Sequence, residues 1–198
     1  MKLLIFAGST RTQSFNRRLA KVAADLARQA GAEVTLLELS SLDIPLYNAD
    51  LEALGTPPDV IRLKEILFDH PGWIICSPEY NGSYTALLKN TLDWASSPVK
   101  GVPNWQQGTE AFTGKVVGLL SASPGALGGL RSLAPLTPML LNLQCWVTPL
   151  QFALNQAGSA FDADGQLLID QQRTGVESVV RQVLWAATRL TPSAEAVN

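Results

Sequence analysis

Short apolar runs recur along this chain without in/out alternation, each followed by an amphipathic stretch, and that rhythm leaves few folds open. Leu3 to Ala7, Val34 to Leu39, Gly72 to Cys76, Val116 to Ser121 and Cys145 to Val147 read as strands. Strands with no polar face are buried on both sides, as in a parallel sheet wrapped by helices. Phe15, Leu19, Val22, Ala23, Leu26 and Ala30 repeat at helical spacing until Gly31 stops the run. A helix starting near Pro57-Pro58 carries Val60, Ile61, Leu63, Leu67 and Phe68, and Lys89 to Ala95 belongs to another. Leu130 to Leu143 is expected to be a helix broken or kinked at Pro135 and Pro138, and a final helix spans about Val176 to Leu190. The expected fold is α/β: a doubly wound, five-stranded parallel sheet with helices on both faces, in a single domain over residues 1–198.

Such sheets bind ligands beyond the carboxyl ends of their strands, near the reversal of strand order. The loops after the first, third and fourth strands are therefore the ones to search. The first runs Gly8-Ser9-Thr10-Arg11-Thr12-Gln13-Ser14-Phe15-Asn16 and opens onto a helix amino terminus, where anions are held. No Gly-Lys-Ser/Thr follows to hold a triphosphate, and no G-x-G-x-x-G admits a pyrophosphate. Its hydroxyls, guanidinium and amides suit the oxygens of a terminal phosphate. The plainer account makes Ser14 a helix cap and Arg11 a solvated charge; yet Arg17 stands three residues after Ser14, where a capping box has Glu or Gln.

After the third strand, Ser77-Pro78-Glu79-Tyr80-Asn81-Gly82-Ser83 places a carboxylate, a phenol and an amide beside the same crevice. Backbone groups fixed by Pro and Gly could read the polar edge of a flat heterocycle. After the fourth comes Ser121-Ala122-Ser123-Pro124-Gly125-Ala126-Leu127-Gly128-Gly129, whose glycines permit close approach or positive φ. Each loop alone is ordinary turn chemistry. Their coincidence at three strand ends favours a ligand site.

Other chemistries are poorly supplied. Cys76 and Cys145 sit in apolar runs with no C-x-x-C, and His70 stands alone where a helix should end, so the reading holds no metal site and no disulfide. No G-x-S-x-G elbow is present. A net charge of -2 carries no nucleic-acid footprint. The apolar run after Met1-Lys2 is too short for a signal core or membrane span, and a cytoplasmic protein with small-molecule partners is expected.

The pieces Gly8-Ser9-x-Arg11-x-x-Ser14-x-Asn16, Asp43-Ile44-Pro45-Leu46-Tyr47, Pro78-Glu79-Tyr80-Asn81-x-Ser83, Leu88-Lys89-Asn90-x-x-Asp93-Trp94 and Gly128-Gly129-x-Arg131 together resemble the NAD(P)H-dependent FMN reductases, a flavodoxin-like family of quinone, chromate and azo-dye reductases. The resemblance implies that Ser9, Thr10, Arg11, Thr12, Gln13, Ser14, Phe15 and Asn16 hold the FMN phosphate. It places Pro78, Glu79, Tyr80, Asn81 and Gly82 along the isoalloxazine, with Ser123 a further flavin contact. It implies NADPH or NADH as donor, small electron acceptors, and a homodimer or homotetramer with Lys89 to Trp94 in the interface. No protein side chain is expected to be catalytic, since flavin carries the hydride chemistry in a ping-pong cycle.

One departure stands out: Thr85-Ala86 occupies the place of the family's Pro-Gly. Restoring Pro-Gly there is expected to leave FMN affinity nearly unchanged and to shift acceptor preference. Two alternatives complete the reading, a flavodoxin-type electron-transfer protein and a non-enzymatic FMN-binding module. Flavodoxins tend to be strongly acidic, unlike this chain.

Overall fold

Strand order reverses once, and that reversal places the site. The computed structural model describes residues 1–190; the expected domain's residues 191–198 lie outside the described ones. Its strands are β1 (Lys2–Ala7), β2 (Glu33–Leu37), β3 (Gly72–Cys76), β4 (Val116–Ala122) and β5 (Trp146–Leu154). They form one sheet in the order β2-β1-β3-β4-β5, and every pairing is parallel. This is the flavodoxin-like order, with its switch point between β1 and β3.

The helices are α1 (Phe15–Gln29), α2 (Ala49–Leu54), α3 (Pro58–Asp69), α4 (Ala86–Ala95), α5 (Leu130–Asn142) and α6 (Asp170–Leu190). Because side chains alternate across a strand, β1 sends Leu3 and Ile5 into one core with Leu19 of α1 and Val183 of α6. Leu4 and Phe6 enter the other, with Leu63 of α3, Leu92 of α4 and Leu136 of α5. Each face of the sheet is thus covered, which is why the strands carry no polar alternation. Among the described residues no helix is long and apolar enough to cross a membrane.

Four local expectations change. Residues 39–41 leave β2 as a 3-10 turn, so β2 is shorter than its apolar run. The unforeseen α2 starts where Asn48 accepts from the Asp50 amide at 2.8 Å. Helix α5 runs on through Pro135 and Pro138, because Leu133, Leu136 and Leu140 are buried against the sheet and tertiary packing overrides the breakers. β5 extends well past Val147 despite Pro149: it is an edge strand, and a register shift against β4 absorbs the residue that cannot donate. His70 ends α3 as expected, its Nε2 within 2.8 Å of Thr35 Oγ1.

Candidate functional site

The turn after β1 delivers the chain into α1 at the sheet's carboxyl edge. Ser14 is the cap of α1: its Oγ accepts from the Arg17 amide at 3.4 Å, so the plain capping account holds, while its own O–H remains able to donate. The amides of Phe15 and Asn16, in the first turn, have no intrahelical acceptor, and the helix dipole adds partial positive charge there. Ser9 Oγ accepts from the Arg11 amide at 3.4 Å. Arg11 is exposed; its Nη2 donates to Gln13 O at 2.8 Å and its guanidinium lies 5.6 Å from the Phe15 ring centre.

A cleft of about 190 Å³ is lined by Ser9, Arg11, Ser14, Phe15 and Asn16 on one side, Pro78, Glu79 and Tyr80 on another, and Ala122, Ser123 and Pro124 on the third. It adjoins a hollow of about 280 Å³ where Thr10, Thr85, Ala86 and Leu87 join Ser9, Arg11 and Tyr80. The three searched loops therefore meet. Thr12 and Gln13 do not join them; they line a hollow of about 590 Å³ on the outer flank of the turn with Arg17, Arg18 and Lys21. Another groove, about 420 Å³, runs between α2 and Pro98 to Lys100. Both exceed the cleft in size, but neither is lined by all three of the searched loops.

Asn81 and Gly82 also stand off the lining. Their φ values are 53° and 78°, and Tyr80 and Ser83 exchange backbone bonds of 2.9 and 3.1 Å around them. This is the two-residue hairpin turn with both central residues left-handed, and it accounts for the Asn-Gly pair. It fixes Tyr80 on the cleft wall.

Asn16 lines the cleft, but its side chain is already engaged: Nδ2 donates to Ala122 O at 2.8 Å and Oδ1 accepts from Ala122 N at 2.9 Å. Its carboxamide is therefore engaged with Ala122 through one Nδ2 hydrogen and Oδ1, while its backbone amide lies in the first turn of α1. Glu79 is held by Arg131, whose Nη2 lies 2.6 Å from Glu79 Oε1, and whose own amide donates to Oε2 at 3.2 Å. The cleft thus presents no bare carboxylate to an anion. Gly128, which precedes α5, has φ 62°, and a Cβ there would come within 2.7 Å of the Asn155 backbone nitrogen.

Sequence reasoning singled out Arg131 and Thr85 but gave neither its partner on this edge. Thr85 caps α4, and its hydroxyl donates to Gly8 O at 2.7 Å. Segment 89–94, expected at a dimer interface, largely serves the chain itself. Asn90 accepts from the Tyr47 amide at 2.7 Å and donates to Pro45 O at 2.9 Å, while Trp94 is fully buried and its Nε1 donates to the same carbonyl. Cys76 at the end of β3 is buried, which holds its thiol far above the usual range; the same cause pushes Cys145 up to about 12.

Amides at a helix start, two serine hydroxyls and an exposed guanidinium suit a phosphate monoester. The Tyr80 and Ser123 walls leave a slot for an attached flat group. FMN has these two parts, and the residues present fit it.

Comparison with known proteins agrees with this chemistry. Residues 1–159 match the family model described as NADPH-dependent FMN reductase. The chain is 35% identical over 189 residues to an NAD(P)H-dependent FMN reductase of Pseudomonas aeruginosa, covering 93% of this chain and 95% of that one. It is 32% identical over 186 residues to an NADPH:quinone oxidoreductase of Arabidopsis thaliana, covering 91% and 88%. Among solved structures, the flavoenzyme NAD(P)H:(acceptor) oxidoreductase of Paracoccus denitrificans superposes with a TM-score of 0.81 at 29% identity, covering 96% of this chain and 98% of that one. The cleft at the β1/β3 switch is therefore set in a chain that belongs to the NADPH-dependent FMN reductase family.

Proposed function

We propose that this chain is an FMN-dependent NAD(P)H oxidoreductase that reduces quinones or similar small acceptors in a ping-pong cycle. The observation that carries the reading is the convergence of the α1 amino terminus with the β3 and β4 loops on one cleft. Family membership and the relatives' oxidoreductase names support it.

Ser9, Thr10, Arg11 and Ser14, with the Phe15 and Asn16 amides, would hold the phosphate. Thr12 and Gln13 shape the turn from its outer flank. Pro78, Glu79, Tyr80 and Ser123 would border the ring, positioned by the Asn81-Gly82 turn. When bound, FMN supplies the hydride chemistry between nicotinamide and acceptor. The protein's part is orientation and electrostatics. Arg131 neutralises the Glu79 carboxylate at the wall, and Tyr80, 58% exposed, leaves the outer side of the slot open to exchange of donor for acceptor. We take residues 1–198 to be one FMN-binding domain, working in the cytoplasm as a homodimer or homotetramer; the family resemblance supports the assembly.

Purified protein should be yellow with FMN identified by mass, NADPH or NADH should bleach it, and menadione should restore the colour with parallel double-reciprocal lines. Intersecting lines would overturn the ping-pong cycle. Bound flavin that NAD(P)H does not bleach would favour the flavodoxin or the non-enzymatic module.

A further inference from the structure

Strand β3 stops pairing with β4 before β4 ends. Their register closes at Cys76 opposite Leu120, and the Ser77 amide still reaches Leu120 O at 2.8 Å. The next β4 groups on that side belong to Ala122, two residues on, because backbone direction alternates along a strand. The Ser77 carbonyl, which would be next in the ladder, accepts from Ser132 Oγ at 3.1 Å instead. Left alone, the Ala122 amide and carbonyl would be unpartnered in a residue that is 4% exposed. Asn16 fills the gap. A carboxamide carries one donor edge and one acceptor edge like a peptide unit, and Asn16 uses both on Ala122, at 2.8 and 2.9 Å. It is itself 3% exposed and sits in the first turn of α1, the turn whose amides face the cleft.

We infer that Asn16 is the positioning residue that locks the phosphate turn to the β4 loop: its carboxamide stands in for the missing stretch of β3, and so fixes Ser123 relative to the α1 amino terminus. The inference rests on the flavin reading of the same cleft. A ligand reaching from the helix start to Ser123 needs both ends at a set separation, and no other side chain in the first turn of α1 bonds to the end of β4. Thr85 and Arg131 tie other pairs of loops, Gly8 to α4 and Glu79 to α5.

The test compares Asn16→Leu, which keeps the volume and removes both bonds, with Asn16→Asp, which keeps the acceptor and removes the donor. FMN and riboflavin affinities are measured side by side by flavin fluorescence quenching. A positioning role weakens both ligands, by about tenfold or more in Asn16→Leu, since the ring wall moves as well as the phosphate turn. Loss confined to FMN would make Asn16 a direct phosphate ligand and overturn the inference. A lowered melting temperature with both affinities intact would make it merely structural and overturn it too. Asn16→Asp adds a signature: in acid the protonated carboxyl regains a donor for Ala122 O, so its affinity relative to wild type recovers as pH falls, while that of Asn16→Leu does not. A ratio that stays flat for Asn16→Asp counts against the inference. Amide hydrogen exchange at Ala122 and Ser123, followed without flavin, judges the lock even if wild type binds no FMN, a result that would sink the proposed function instead. Unchanged exchange in Asn16→Leu would remove the lock.

Discussion

The Thr85 hydroxyl donates to the carbonyl oxygen of Gly8 across 2.7 Å, joining the start of α4 to the first residue of the phosphate turn. The Thr85 hydroxyl oxygen in turn accepts from the Leu88 amide at 3.2 Å. A proline at 85 would find an agreeable backbone, since φ there is -77°. It would nevertheless lose both bonds.

Thr85→Val and Thr85→Pro should therefore each lose about 1 to 3 kcal/mol of stability, because a buried carbonyl and a helix-start amide go unpartnered. Thr85→Ser should retain most of it. Thr85→Pro, alone or with Ala86→Gly, is also expected to weaken FMN binding, whereas the sequence reading expected the double change to leave affinity nearly unchanged. Urea unfolding and flavin titration of the three variants decide this; a proline variant as stable as wild type would show the bond to be dispensable.

Glu79 and Arg131 close the cleft from the other side. The Glu79 side chain is 10% exposed and the Arg131 side chain 64%, so the pair is only partly desolvated. Arg131→Ala should cost about 1.5 kcal/mol by leaving a largely buried carboxylate without its cation. Glu79→Gln combined with Arg131→Ala should cost less than the sum of the single changes. Strict additivity in a denaturation cycle would mean that the pair contributes nothing as a pair.

Arg11 is exposed, and its guanidinium donates within its own loop, to Gln13 O. Arg11→Ala should leave the melting temperature of the flavin-free protein in place and weaken FMN by about 1.5 kcal/mol, roughly tenfold, through one lost charge-assisted bond. Riboflavin, lacking the phosphate, should bind both proteins alike. Equal FMN affinity in the two proteins would take Arg11 out of the site.

Lys64 of α3 is fully buried, and its Nζ donates to Ala95 O at 2.6 Å and Ser97 O at 2.7 Å at the carboxyl end of α4. Burial pulls its ammonium from 10.5 down to about 8, against the opposing pull of Glu110 and Glu52. The unfolded chain then holds this proton more tightly than the native one between those values, so native stability gains as pH rises through that window. Wild type should therefore become more stable relative to Lys64→Met between pH 7 and pH 9.5. A difference that stays constant or narrows would show that Lys64 keeps its ordinary affinity for the proton.

Much of this architecture was legible along the chain. β3 falls where the apolar run Gly72 to Cys76 placed it, and α6 covers the stretch Val176 to Leu190 that the spacing implied, though it starts earlier, at Asp170. The three donor-rich loops were picked out because strand ends and turn residues are written locally. The reading failed where local signals were outvoted. Pro135 and Pro138 sit inside α5, and Pro149 inside β5, because burial and an edge position tolerate what intrinsic preference forbids.

By itself, then, the sequence determined the parallel, doubly covered sheet and the crevice at its switch point, since hydrophobic periodicity and turn chemistry act over a few residues. Which side chain does what inside that crevice was decided only by the tertiary structure. Asn16 meets Ala122 across 106 positions, Thr85 meets Gly8 across 77, and Arg131 meets Glu79 across 52. Nothing in the neighbourhood of any of these residues names its partner. The pairings arise because folding brings separate strand ends together and leaves buried polar groups that must find a bond.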